Sequence, residues 1–308
     1  MILKYEAKIN DNNKRLSDIL RKELYISKRL LIKLKNGKCI FVNETPTNVD
    51  YLLKTNDKIT VNLNHITKNT NNTNLMFYDM DLNILYEDNY LLIVDKPANM
   101  PVHPGASNLN STLANVIISY YKKQKYNIST VHILTRLDTN TSGICLIAKN
   151  EYIQELFMQK KEVINLQKEY IAFVNNIIKN NHGFIIKNIK RDDDSIITRG
   201  VTENNSLGQT AKTEYFVLEK NINKNFTKIK ITLHTGRTHQ IRVHFASINH
   251  ILLGDELYAN KYDKTYSKIC KEYINRQALH CYKLTFIHPI NNKTISITAD
   301  LPNDLKNI

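Results

Sequence analysis

Hydrophobic positions between residues 14 and 38 recur with the spacing of a helix rather than that of a strand. Two apolar stripes lie on either side of Ser27: Leu16, Ile19, Leu20 and Leu24 before it, and Leu30, Leu31 and Leu34 after it. Serine is favoured just before a helix begins, and Gly37 fits the position just after a helix ends. The pattern therefore predicts two short helices, the second beginning after Ser27 and ending at Gly37.

Strand-like apolar runs make up most of the remaining chain. They lie at 39–43, 58–63, 84–97, 143–149, 168–174, 213–219 and 227–236. In the last run Ile229, Ile231 and Leu233 alternate with polar residues, as in a strand with one buried face. A helix that carries Ile241 and Phe245 on one face is expected to follow. These elements predict an α+β protein with a mostly antiparallel mixed sheet, preceded by a small α/β unit.

A polar, low-complexity stretch at 67–74 (TKNTNNTN) contains no apolar residue and is typical of a linker. It separates the basic helical segment from the strand-rich part of the chain. The sequence therefore predicts a small domain over 13–66, a linker over 67–80 and a larger domain over 81–304.

The composition is that of a folded protein: 308 residues, of which 42% are hydrophobic and 23% are charged. No apolar run approaches the length of a membrane span, and the start MILKYEAKIN lacks a secretory pattern. The four cysteines, Cys39, Cys145, Cys270 and Cys281, form no CxxC pair and lie in apolar surroundings. We expect reduced core thiols and a cytoplasmic location without membrane association.

The net charge of +14 favours a polyanionic partner, although codon drift in an AT-rich genome would also enrich lysine. The distribution of charge is more informative than the total. Residues 14–38 carry nine basic side chains against two acidic ones. The alternative is an ordinary solvated helix face, but the imbalance favours an RNA-facing patch that includes Lys28, Arg29 and Lys33.

The N-terminal segment resembles an S4 RNA-binding domain, whose pattern is a basic second helix, then G-x-V-x-VNG and a later GD-x-I. The sequence reads GKCIFVNE at 37–44 and NDKITV at 56–61. It keeps Gly37, Val42, Asn43, Asp57 and Ile59 of this pattern. It departs from the pattern at Glu44 and Asn56, where glycines are common.

The larger segment resembles the RluA family of pseudouridine synthases. The family motif HRLDxxTSG, followed by a strand ending in AK, corresponds to TRLDTNTSGICLIAK at 135–149. Further motifs occur in the order typical of the family. KPANMPVHPG precedes the TRLD motif, and it is followed by KEYIAFV, GQTAKT, TGRTHQIRVHFA, LLGD and ALHCYKLTFIHP. Agreement at so many motifs in order, across residues 81–290, identifies the chain as a member of this family.

The resemblance implies that Asp138 is the catalytic carboxylate, which attacks the target uridine without any cofactor or metal. Such an acid must stay ionised beside a nucleotide, so a fixed cation is expected next to it. Arg237 matches the arginine that pairs with this aspartate, and Tyr170 the tyrosine that stacks on the base and assists proton transfer. Arg136 matches the arginine that reaches into the RNA when a uridine is flipped out. We also expect His239 and Arg242 to contact RNA.

Taken singly, these residues have ordinary structural roles. Asp138 resembles a turn cap beside hydroxyl side chains, Tyr170 a half-buried strand residue and Arg237 a surface ion-pair partner. His239 and His244 are five positions apart, which does not suit two metal ligands on one helix face. The acidic run at 192–194 is typical of a solvated turn.

Several positions depart from the family pattern. Thr135 replaces the histidine before Arg-Leu-Asp, and we interpret it as a subgroup feature. Asn99 and Asn249 replace common glycines, and asparagine tolerates the left-handed backbone that such turns require.

The sequence thus predicts a monomeric enzyme that isomerises uridines in structured RNA, with large-subunit ribosomal RNA as substrate and transfer RNA as a second candidate. A non-catalytic RNA-binding or ribosome-assembly factor with the same fold is the main alternative. A metal-dependent nuclease is a third.

Overall fold

The structure is a computed structural model that describes residues 1–64, 75–105, 109–192, 195, 197–204 and 207–308. The polar stretch 67–74 of the predicted linker (67–80) and two members of the acidic run, at 193 and 194, lie outside the described residues. We call residues 1–64 the N-terminal unit and residues 75–308 the C-terminal unit.

The N-terminal unit is a four-stranded antiparallel sheet with two helices. Its strands are β1 (Ile2–Glu6), β2 (Ile40–Val42), β3 (Thr45–Pro46) and β4 (Lys58–Asn62), in the order β1-β4-β2-β3. Its helices are α1 (Leu16–Lys22) and α2 (Lys28–Asn36), with a 3₁₀ turn at Ile9–Asp11. Strand β1 pairs along its whole length with β4. The unit therefore begins before residue 13, the start predicted from the sequence.

Both helices in the N-terminal unit lie where the sequence predicted them. The hydroxyl of Ser27 accepts a hydrogen bond from Leu30 N, and Gly37 ends α2. Glu44 and Asn56, the two departures from the S4 pattern noted above, have φ angles of 67° and 69°. The backbone conformation that favours glycine is therefore kept at both substituted positions.

The C-terminal unit is built on one large sheet. Its strands are β5 (Asn83–Glu87), β6 (Leu91–Lys96), β7 (His132–Ile133), β8 (Ser142–Ala148), β9 (Gln167–Asn175), β10 (His182–Arg191), β11 (Arg199–Thr202), β12 (Gln209–Asn221), β13 (Phe226–Leu233), β14 (Leu279–Ile287) and β15 (Thr294–Thr298). The sheet order is β11-β10-β12-β13-β9-β14-β8-β6-β5, with β15 beside β14 and β7 beside β8. Among these pairs only β14 and β8 run parallel, which confirms the mostly antiparallel sheet.

Helices pack on this sheet and at its ends. They are α3 (Leu113–Lys123), α4 (Glu151–Gln159), α5 (Lys161–Ile164), α6 (Gln240–Ala246), α7 (Glu256–Tyr262), α8 (Lys264–Ser267) and α9 (Asn303–Lys306). The predicted helix with Ile241 and Phe245 is α6, and every residue of it is buried. A helix buried all round is held by its surroundings, so its side chains have fixed positions.

Two turn positions and the four cysteines are as the sequence predicted. Asn99 and Asn249 have φ angles of 59° and 61°, the left-handed conformation expected of glycine replacements. All four cysteines are buried and free. Among the described residues, no helix is both long enough and apolar enough to span a bilayer.

Candidate active site

The loop that carries Asp138 is fixed at both ends to β8. At its start, Leu146 N donates a hydrogen bond to the buried Thr135 hydroxyl oxygen at 2.8 Å. At its end, Gly143 has a φ of 113°, and a Cβ there would lie 2.3 Å from the carbonyl oxygen of Cys281. A side chain cannot be accommodated at this point, so the loop enters β8 along one fixed path. Thr135 therefore has a structural role, because its hydroxyl ties the start of this loop to β8.

A second tie to the loop comes from Lys96, which is fully buried at the end of β6. Its Nζ donates hydrogen bonds to the carbonyl oxygens of Pro97 at 2.7 Å, Met100 at 2.9 Å and Thr139 at 3.1 Å. Thr139 is the residue after Asp138. Lys96 thus joins the KPANMP turn to the loop that carries Asp138, and burial lowers the pKa of its ammonium to about 8. This role of Lys96 was not predicted from the sequence.

The cation beside Asp138 is Arg242, whose Nη1 lies 3.0 Å from Asp138 Oδ2. The guanidinium of Arg242 also donates from Nε and Nη2 to the two carboxylate oxygens of Asp255. Burial opposes the positive charge of Arg242, but the hydrogen bonds and charges of the two carboxylates outweigh burial and raise its pKa. Arg242 is therefore a charged, immobile group between two acids.

The expected pairing of Asp138 with Arg237 is wrong in this structure. Arg237 lies in the exposed loop before α6, and its Nε donates to the carbonyl oxygen of Thr210 at 3.3 Å. Arg242 lies one turn further along, inside the buried helix, and only its guanidinium reaches the carboxylate. Arg242, which was expected to contact RNA, instead forms a buried ion pair. Only 6% of the residue is exposed, which leaves little of it accessible to RNA.

His239 lies next to the same carboxylate. Its backbone is left-handed, with φ 56°, just before α6 begins. This places Nδ1 3.1 Å from the hydroxyl of Tyr258 and Nε2 3.7 Å from Asp138 Oδ2. Burial lowers the pKa of His239. His239 is thus part of the wall around Asp138, whereas His244 is fully buried and accepts or donates a hydrogen bond with the Thr213 hydroxyl.

Asp138, His239 and Arg242 line a cavity of about 780 Å³. Tyr170 forms part of its floor on β9, and Lys168 lies two residues before it on the same strand face. Burial and the neighbouring Cys281 thiol raise the pKa of Tyr170 well above 10, so its phenol stays protonated at neutral pH. Arg136 is exposed at the cavity rim. The cavity therefore brings together Asp138, Tyr170 and Arg136, as the sequence predicted.

The three basic residues predicted on α2 have different surroundings. Lys28 is exposed, whereas Lys33 and Arg29 lie 2.5 Å and 3.6 Å from the carboxylate of Glu151 at the start of α4. The side chain of Arg29 remains 80% exposed despite this contact. Part of the predicted RNA-facing patch therefore joins the N-terminal unit to the C-terminal unit. Glu151 is 118 residues from Lys33, so no local sequence signal indicated the pair.

In the described ranges, no three His, Cys, Asp or Glu side chains are grouped closely enough to hold a metal ion. Asp192 instead pairs with Lys261 at 2.5 Å.

Comparison with known proteins identifies the family. A family model described as RNA pseudouridylate synthase matches residues 90–247, the part of the chain that holds Asp138, Tyr170 and Arg242. The chain belongs to the RluA family of RNA pseudouridine synthases. It is 34% identical to the RNA pseudouridine synthase YjbO of Bacillus subtilis over 287 residues, covering 93% of this chain and 95% of that protein.

Two further relatives of this pseudouridine synthase are informative. Ribosomal large subunit pseudouridine synthase D of Neisseria meningitidis is 33% identical over 298 residues, covering 94% of this chain and 76% of that protein. The solved structure of human RNA pseudouridylate synthase domain containing 4 superimposes with a TM-score of 0.55 at 20% identity. It covers 73% of this chain and 90% of that chain, and it supports the fold alone. The chain is accordingly an isomerase that acts on RNA.

Proposed function

We propose that this pseudouridine synthase modifies uridines in large-subunit ribosomal RNA and uses Asp138 as its nucleophile. The observation that carries the nucleophile assignment is the hydrogen bond from Arg242 to Asp138 Oδ2, on a loop fixed at both ends. A nucleophile must be held at one position near the reacting atom, and a preorganised cation does this without moving during the reaction.

The reaction that follows from this site needs no external group. The Asp138 carboxylate attacks the nucleotide, and the bond between uracil N1 and the ribose breaks. The freed uracil turns inside the cavity, and its C5 forms the new bond to the ribose. The Asp138 carboxylate is released as this bond forms. The C5 proton then passes to solvent and N1 takes up one proton, so that substrate and product are isomers. Tyr170 lies in the same cavity, and its protonated phenol is placed to contact the base.

Reaching the base requires the uridine to leave its helix. Enzymes that act on a base extrude it and fill or stabilise the gap that remains. Arg136 is two residues from Asp138 and exposed at the cavity rim, which suits a guanidinium that stacks in that gap. This arrangement supports the predicted RNA contact at Arg136.

The ribosomal substrate rests on relatives rather than on geometry. Several relatives at 33% to 34% identity are named ribosomal large subunit pseudouridine synthase D. We propose the same class of RNA for this chain. The N-terminal unit is proposed to be an S4-like module that holds this RNA, with Lys28 and the exposed part of Arg29 on its outer face.

The test is tritium release from 5-tritiated uridine in transcripts of large-subunit ribosomal RNA. Wild type and the exposed-site control Asp81→Asn should release tritium at equal rates. Asp138→Asn should release none while binding the transcript with unchanged affinity. Equal release by Asp138→Asn and wild type would refute the nucleophile. No release by any variant from ribosomal RNA, with release from transfer RNA, would refute the substrate.

A further inference from the structure

The large sheet has a partly exposed face, opposite the buried face that carries Tyr170. In the strand register Gly183, Tyr215, Ile231 and Tyr170 are neighbours on β10, β12, β13 and β9. Side chains alternate between faces along a strand, so the residues between them point the other way. On that other face lie His182, Phe184, Lys212, Glu214, Phe216, Lys230 and His234, which we call the aromatic–basic face.

Aromatic rings on this face lie close together and open to solvent. The rings of His182 and Phe216 stack with centroids 4.3 Å apart at 16°. Phe184 meets His182 edge-on at 5.2 Å and is 48% exposed. A phenylalanine this exposed does not gain the free energy of hydrophobic burial, which points to a binding role. Clusters of aromatic rings on a sheet are surfaces on which unpaired bases stack.

Positive charge surrounds these rings. Lys212 Nζ lies 4.7 Å from the Phe184 ring centroid, and Lys230 Nζ lies 5.0 Å from that of Phe216. An amine above an aromatic ring is a favourable contact. These lysines also place positive charge where the phosphates of an RNA strand stacked on the rings would lie.

Two carboxylates also lie on this side of the sheet: Glu169, 3.8 Å from Lys230 Nζ, and Glu214, which holds the rings in place. Glu214 lies 3.0 Å from His182 Nε2 and 2.8 Å from His234 Nε2, so one carboxylate holds two imidazole rings. Phe184 lies between these rings, with centroid distances of 5.2 Å and 6.3 Å. The carboxylate thus fixes the rings, and a rigid stacking surface loses less entropy when it binds.

This face borders the cavity mouth. His234 follows the end of β13, and Gly236 and Arg237 line the cavity next along the chain. The loop between them is tied to β12, because Lys212 N donates to the Thr235 hydroxyl and Arg237 Nε donates to Thr210 O. An RNA strand leaving the cavity past Arg237 therefore meets Lys212 and Phe184 next.

We propose that the aromatic–basic face binds an unpaired RNA segment that adjoins the target uridine, with a base stacked on Phe184. This site goes beyond the family activity and does not depend on Asp138 being the nucleophile. It extends the RNA-binding surface around the edge of the sheet, to the side opposite the cavity.

The test compares wild type with Phe184→Ala by fluorescence anisotropy on two labelled oligouridines, one of about 4 and one of about 12 nucleotides. Removing a stacking ring should weaken binding of the longer RNA by about tenfold and leave the shorter one unchanged. The matched control is Phe77→Ala, because Phe77 is also exposed and lies 4.1 Å beneath a lysine amine, that of Lys122, on another surface. It should bind both RNAs as wild type does.

Two outcomes would overturn the proposal. Unchanged binding of the longer RNA by Phe184→Ala would show that the face does not contact RNA, and a protein partner would then be its occupant. Equal loss on both RNAs would place the effect in the cavity.

Repeating the measurement in Asp138→Asn separates this result from the proposed function, since the tenfold loss should persist in the inactive protein. Ultraviolet cross-linking of the longer RNA carrying 5-iodouridine should label the peptide that contains Phe184.

Discussion

Asp255 accepts hydrogen bonds from two nitrogens of Arg242, from Nε at 2.7 Å and from Nη2 at 2.8 Å, and Nη1 is directed at Asp138. Asp255 is 2% exposed, so this ion pair is almost dry. Asp255 thus orients the Arg242 guanidinium, which in turn holds Asp138.

Replacing this guanidinium should damage both stability and activity. Arg242→Met leaves the Asp255 carboxylate buried without a partner, which costs about 3–5 kcal/mol of unfolding free energy. Tritium release should fall to background, because Asp138 loses its fixed cation. Urea denaturation and the release assay measure the two effects. Arg237→Met is the matched control, and it should keep the unfolding free energy within about 0.5 kcal/mol because Arg237 is exposed. A fully active Arg242→Met protein would contradict the assignment.

Tyr170→Phe separates the hydroxyl of this residue from its ring. Because the pKa of Tyr170 lies well above 10, the phenol acts near neutral pH as a proton donor rather than as a phenolate. If the hydroxyl assists proton transfer, kcat should fall by roughly 10²–10⁴-fold with little change in KM. Tyr170→Leu should also raise KM, since the stacking ring is lost. Tyr215→Phe, on the same sheet face two strands away, should leave both constants unchanged. An unchanged kcat for Tyr170→Phe would restrict the residue to stacking.

Thr135 gives a test of the substituted motif position. Thr135→Val keeps the shape but removes the oxygen that accepts from Leu146 N. A buried N–H without an acceptor costs about 1–3 kcal/mol, so the midpoint of urea denaturation should fall. Thr135→Ser retains the oxygen and should remain within about 1 kcal/mol of wild type. Equal stability of the valine and serine variants would show that the hydrogen bond does not stabilise the loop.

The buried histidines predict acid sensitivity of the fold. Burial lowers the pKa of His244 and of His280 to about 4, below the unfolded value of about 6.5. The unfolded chain therefore binds more protons than the native protein between these pH values. Stability is fully present above pH 6.5 and is lost as pH falls through 4, by roughly 3 kcal/mol for each residue. Denaturation midpoints between pH 7 and 4 measure this slope. His280→Gln should flatten it, whereas the exposed-site variant His103→Gln should leave most of it in place.

The elements that the sequence predicted correctly are those with a strong local pattern. The alternation at Ile229, Ile231 and Leu233 became β13, and the capped stripe after Ser27 became α2. Strand β1 was missed because it is short, and its pairing partner β4 is more than 50 residues away. Local periodicity carries no information on such a pairing.

Motif order located Asp138 and Tyr170 in one cavity but not the partner of the acid. Two arginines lie in TGRTHQIR, and their sequence positions do not show which one faces the carboxylate. The answer depends on where α6 begins and on the left-handed backbone at His239, which turns the chain into that helix. Lys96 was missed for a similar reason, since its three acceptors are carbonyl groups and no side-chain pattern marks them.

The contact of Glu151 with Lys33 and Arg29 has a consequence for target choice. It holds α2 against α4 of the C-terminal unit, so the two regions proposed to contact RNA lie a set distance apart. An RNA that touches both must present its uridine at a matching distance from the helix bound by the N-terminal unit. If both proposed contacts are made, the Glu151 contact sets this distance, and a uridine with suitable neighbours at a different distance would not be modified.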